Sequence, residues 1–145
     1  MLITDWINNI QPCEEYFDFV IKLDFIEGIS TIFYHIYDNN KDNTPITSYV
    51  NKPNVVFVYD NNDDNDNNCN SWREYTDKEF EDVINKINQS VIKQFVQFTK
   101  DNPELLISKM DDYIDMTNKV NGNTSSESLK RIKTNIFNYI KSDLK

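Results

Sequence analysis

The stretch TDKEFEDVINKINQSVIKQFVQFTK constrains the fold of this chain more than any other. Thr76 is followed three residues later by Glu79, which makes a capping box: the hydroxyl accepts an orphan first-turn amide and the carboxylate reaches back to the cap. Behind it, Phe80, Ile84, Ile87, Val91, Phe95 and Phe98 recur at helical spacing and put one apolar stripe on a core, ending near Lys100. At ~1.5 Å per residue that helix is roughly 35 Å long. Ile92 and Val96 widen its apolar face beyond what one neighbouring element covers.

The same punctuation continues downstream. Asn102 is a cap with Pro103 at the first helical position, Leu106, Met110, Tyr113, Thr117 and Val120 lie along one side, and Gly122 suits the C-terminal cap. Thr124 and Glu127 repeat the capping box, and Leu129, Ile132, Ile136, Ile140 and Leu144 supply the stripe of a last helix.

Upstream the pattern is mixed. Residues 1–10 fit a short helix, with Thr4 as its cap, Trp6, Ile7 and Ile10 as an apolar edge and Pro12 as its limit. Phe17, Phe19, Ile21, Leu23 and Phe25 alternate as in a strand, whereas Ile26, Ile29, Phe33 and Ile36 are spaced as in a helix. The spacing favours a helix over 25–37, despite the ~1 kcal/mol cost of Gly28 in its interior, and leaves 16–23 open. A β-branched and aromatic run over 54–59 reads as a strand, with 72–75 as its partner across an Asp/Asn loop. The expected fold is therefore α+β: a mostly helical single domain with a small antiparallel β-hairpin and three C-terminal helices. Residues 1–20 form an N-terminal extension to the part that follows.

Composition narrows the function. At 145 residues the chain is long enough to bury a core without staples. A net charge of −9 argues against nucleic acid as the main partner, because phosphate binding needs clustered cations. Alanine is absent and there are only two Gly, four Pro and two Arg, while Asn, Ile, Lys, Asp, Tyr and Phe abound, which points to an AT-rich genome. Two cysteines, Cys13 and Cys69, with a single histidine fall short of a four-ligand zinc site, and free thiols in a reducing compartment are expected. MLITDWINNI lacks the basic and apolar regions of a signal peptide, and no apolar run approaches the ~20 residues of a membrane helix, so an intracellular, soluble protein is expected.

Each chemical motif has a plain structural alternative. Asp63, Asn65, Asn67 and Glu74 fall at calcium-loop spacing, and calcium wants six to eight oxygens. Asn68 stands where the loop needs glycine and a strand stands where it needs a helix, so a hairpin turn is the better reading. His35 has no serine or cysteine nucleophile near it in sequence and reads as a structural residue. Asp111, Asp112 and Asp115 share one helical turn and read as a solvated face. Lys130, Arg131, Lys133 and Lys141 concentrate positive charge on the last helix, the one place where nucleic-acid contact has a candidate surface. Trp6, and Trp72 with Tyr75, read as core or hairpin packing rather than a base-stacking platform. No glycine loop is available to cradle a phosphate, and no cofactor is expected.

The order FIEGISTIFYHIYDNN, PITSYVNKPNVVFVYD, SWREY, KDNPELL, DDYI and NGN resembles a domain found near the C-terminus of uncharacterised proteins of giant viruses, the nucleocytoplasmic large DNA viruses that include the mimivirus relatives. The resemblance covers residues 20–145 and rests on a frame of Pro45, the strand after it, Trp72, Asn102, Pro103 and Gly122. This chain departs from the family pattern at Thr47 and Ser48, where His and Cys are usual, at Val50, where an acid is usual, and at Pro53, which replaces one of a basic pair with Lys52. The family domain often follows a coiled coil. The resemblance therefore implies a non-enzymatic protein–protein interaction or assembly module, in the viral factory of the host cytoplasm or in the virion, with itself or a viral protein as partner. The alternative is a DNA-associated regulatory or nucleoprotein accessory factor, and, behind that, a metal-dependent enzyme of nucleic-acid metabolism.

Overall fold

A computed structural model describes residues 2–10, 13–39, 44–62, 69–121 and 125–142. The fold is α+β and mostly helical. A short helix α1 (Ile3–Asn8) leads into a long, sharply kinked helix α2 (Glu14–Asn39). Three strands follow, β1 (Ile46–Tyr49), β2 (Phe57–Asn62) and β3 (Cys69–Glu74). The chain ends with helices α3 (Asp77–Asp101), α4 (Glu104–Ile107), α5 (Met110–Asn121) and α6 (Ser126–Ile140), and a two-residue strand β4 (Lys141–Ser142). The sheet order is β3-β2-β1-β4. β2 pairs antiparallel with both neighbours, Ile46 opposite Val58 and Tyr59 opposite Trp72, while β4 runs parallel to β1.

Helix α2 lies at the centre and packs on α3, α5 and α6. Residues 16–23 are helical, which resolves the ambiguous alternation: Tyr16, Phe17 and Val20 are buried at helical spacing, whereas Leu23 is 44% exposed. Phe17 stacks on Phe95, with ring centroids 5.7 Å apart, and also meets Phe98, so it belongs to the core. Beyond the kink, Phe25, Ile29, Ile32, Phe33 and Ile36 are buried. The kink is Asp24, at φ 66° and ψ −179°, a conformation that costs a non-glycine residue about 1–3 kcal/mol. Lys119 on α5 braces it, donating to the Ile21 carbonyl at 3.0 Å and standing 3.8 Å from the Asp24 carboxylate.

The capping box at Thr76 forms as the sequence predicts, with Glu79 N–H donating to the Thr76 hydroxyl and the Glu79 carboxylate accepting from the Thr76 amide. Arg73 at the end of β3 donates to both Glu79 and Asp60, at 2.8 Å each, and so ties the hairpin to the start of α3. The remaining caps differ from the sequence reading. Thr4 lies inside α1, which starts one residue earlier. The Asn102 side chain serves the helix before it, donating to the Phe98 carbonyl. Ser125 caps α6 by accepting from Ser128 N–H; Thr124 and Gly122 lie outside the described residues.

One expected helix is two. The chain breaks at Ser108 and Lys109, between α4 and α5, and the break turns α4 so that Leu105 is buried while Leu106 and Met110 face outward. Val120 remains buried, as do Ile132, Ile136 and Ile140 on α6, with Leu129 partly covered; Leu144 is outside the described residues. Ile3, Trp6, Tyr16, Phe17 and Val20 belong to the same core as the later helices, with Trp6 edge-on to Phe33 at 5.6 Å. No described helix is long and apolar enough to cross a membrane.

Candidate functional site

The break between α4 and α5 creates the most apolar exposed surface among the described residues. Ile107 is 83% exposed, and Leu106, Met110, Ile114 and, on α3, Val96 are each about half exposed. The hydrophobic effect alone does not place an isoleucine in water at the end of a four-residue helix; the Ser108–Lys109 turn does, by closing α4 on itself with Ser108 N–H donating to the Glu104 carbonyl at 2.8 Å. A groove of about 390 Å³ lies between α3, α4 and α5, lined by Phe95, Val96, Leu106 and Tyr113. Lys100 borders this groove, while Lys109, Asp111 and Asp112 line a separate hollow with Ile107 at the turn between α4 and α5. The widened face of α3 expected from Ile92 and Val96 is thus divided: Ile92 packs on the core and Val96 stays 47% exposed at the groove.

The basic residues of α6 spread over two grooves, with Lys130 bordering both. Lys130 and Arg131 line a groove of about 740 Å³ beside the Asp24 kink, where Asp24, Glu27 and Glu127 offset their charge. Lys133, which borders a second groove together with Lys130 and Lys78, donates to Asp77 on α3 at 2.8 Å, which holds the Asp77 carboxyl below the usual range. Lys141 sits over the Phe137 ring and donates to Asn138. A duplex phosphate backbone meets clustered cations, and here acidic neighbours partly neutralise them.

Of the calcium-loop candidates, Asp63, Asn65 and Asn67 lie outside the described residues, and Glu74 is exposed at the end of β3 opposite Phe57. Asp111, Asp112 and Asp115 are exposed on α5, with Asp115 3.5 Å from Lys119. Trp6 and Tyr75 are buried, and Trp72 lies on the hairpin surface against Tyr59, centroids 5.5 Å apart. Positions 47 and 48, where this chain departs from the resembled pattern, are inside β1, and Ser48 is fully buried.

His35 has companions that no sequence spacing announced. Its ring, the Cys13 thiol and the Glu15 carboxylate bring their ligand atoms within 4.8 Å of one another. Cys13 is half-buried and free, and the Tyr16 ring packs edge-on against the imidazole at 5.9 Å. Gln94 of α3 clamps the turn that presents them, donating to the Cys13 carbonyl and accepting from Phe17 N–H at 3.0 Å. The signal was out of reach because Cys13 immediately precedes the first arm of α2 while His35 lies in the second, and only the Asp24 kink folds those arms together.

No family model matches this chain, no curated protein is detectably similar to it, and no solved structure matches its fold.

Proposed function

We propose that this domain is a non-enzymatic protein–protein interaction module of a large DNA virus, and that its first partner is a second copy of itself. The observation that carries the reading is Ile107, a large apolar side chain 83% exposed at the end of α4, whose preceding residue Leu106 lines an apolar groove. A two-fold interface must be self-complementary: each copy needs both the projection and its receptor on one patch. Ile107 is the projection, and the groove lined by Val96, Leu106 and Tyr113 is the receptor. Lys100 at the groove and Lys109, Asp111 and Asp112 beside Ile107 let a two-fold pairing set unlike charges opposite each other. The viral source rests on the resemblance in segment order and on the AT-rich residue usage.

Light scattering on the purified chain, from micromolar to near-millimolar concentration, tests this. Self-association that weakens on Ile107→Asp, with the folded signal unchanged, supports it; a strict monomer across that range overturns the homodimer.

A further inference from the structure

We propose that Cys13, Glu15 and His35 form a binding site for a single Zn²⁺ ion, which fastens the two arms of α2 to each other. Three observations converge on it. First, the donor set is one thiol, one carboxylate and one imidazole, a mix of sulfur, oxygen and nitrogen donors of the kinds zinc takes in tetrahedral sites. With the thiol proton released to solvent on binding and the imidazole neutral, thiolate and carboxylate together supply two negative charges, which match the ion.

Second, the geometry is nearly closed. Zinc bonds of 2.0–2.3 Å set tetrahedral ligand atoms about 3.5 Å apart. The ligand atoms lie within 4.8 Å of one another, so side-chain rotation has at most about 1.3 Å to take up.

Third, the frame is held from outside. Gln94 grips the backbone on both sides of Glu15, at the Cys13 carbonyl and the Phe17 amide, and the Tyr16 ring fixes one edge of His35. Ligands whose supports are already bonded lose little freedom when the metal arrives.

Three protein ligands leave a fourth tetrahedral position for water or for a donor from a partner. Because Cys13 immediately precedes the first arm of α2 and His35 lies in the second, the ion closes a loop across the Asp24 kink. Zinc therefore stabilises the folded arms by mass action, to the extent that the unfolded chain binds it less well.

The test uses the full chain, reduced and stripped of metal, titrated with Co²⁺ and then with Zn²⁺. One equivalent of Co²⁺ should give a thiolate-to-cobalt charge-transfer band and intense tetrahedral visible absorption, both removed by Zn²⁺. Cys13→Ser should abolish the charge-transfer band, and Cys69→Ser should leave it intact. Glu15→Gln alters an exposed side chain that the fold does not need, and should weaken Zn²⁺ binding by more than the ~10–100-fold of a change outside the ligands. The proposal is overturned by a wild-type protein without the charge-transfer band, by one that binds only at millimolar metal, or by a band that survives Cys13→Ser.

Discussion

Val20 and Gly28 meet backbone to backbone: a Cβ at position 28 would lie 2.6 Å from the Val20 Cα and 3.0 Å from its nitrogen. Each stands four residues from Asp24, one on either side, so this contact is where the two arms of α2 cross. The glycine that costs a helix about 1 kcal/mol in isolation is what allows the hairpin of helices to close. Gly28→Ala should therefore destabilise the protein by about 3 kcal/mol, the upper end for an overpacked core, since backbone atoms cannot rotate aside. Urea unfolding with an unchanged m-value measures it; a loss near zero would show that the arms can separate freely.

Asp24 holds a backbone conformation suited to glycine. Asp24→Gly should raise stability by about 1 kcal/mol, the relieved strain less the greater freedom of the unfolded chain. Asp24→Val should lower it, since a branched Cβ resists positive φ. The order of the two urea midpoints decides the matter without reference to absolute values.

Arg73 sets an acid limit on stability. Its hydrogen bonds hold the Glu79 carboxyl down to about 2 from an ordinary 4.5, helped by the Thr76 hydroxyl and amide. A depressed folded value favours the fold above the unfolded one, so the contribution is complete above about pH 4.5 and is lost as pH falls from there towards 2. Both partners are about one-third exposed, so screening limits the pair to about 1 kcal/mol. Arg73→Leu should flatten the pH dependence of thermal stability between pH 2 and 5, and high salt should partly mimic it.

Tyr139 stacks on Tyr34 with centroids 4.1 Å apart and donates its hydroxyl to Asp38, which pushes its ionisation up to about 12. In a spectrophotometric titration, Asp38→Asn should return one tyrosine towards 10, while Tyr139→Phe should remove one late-titrating group altogether. An unaltered titration curve in Asp38→Asn would show that the hydrogen bond does not persist in solution.

Binding to duplex DNA at physiological salt should be absent, and Lys130→Glu with Arg131→Glu should change nothing measurable by fluorescence anisotropy. Binding that falls steeply with added salt and vanishes in the double variant would instead favour the DNA-associated reading.

The parts of this fold that declare themselves in sequence are those governed by local chemistry. Thr76 and Glu79 satisfy each other within one turn, so the start of α3 is legible, as is the stripe from Phe80 to Phe95. The hairpin is legible for the same reason, though its strands run further into the polar stretch than the sequence indicates: β2 spans Phe57–Asn62 instead of starting at 54, and β3 starts at Cys69 instead of 72. What escapes is decided by contacts distant in sequence. The Phe17–Phe25 alternation looks like a strand because Phe95 and Phe98, some eighty residues on, are what Phe17 faces. The break at Ser108 carries neither Gly nor Pro, so nothing local announces that Leu105 rather than Leu106 turns inward. The Cys13, Glu15 and His35 group depends on the kink at an aspartate, a residue type that rarely marks so sharp a reversal.

The short parallel strand at the end of the chain has a topological consequence. β4 covers Ser48 and Tyr49, leaving two residues of β1 uncovered, too short a ladder to recruit another strand. Among the described residues, that leaves β3 as the one edge long enough for strand addition. A strand added to this sheet at β3 would lie along Cys69–Glu74, at the far side of the sheet from the α6 end of the fold.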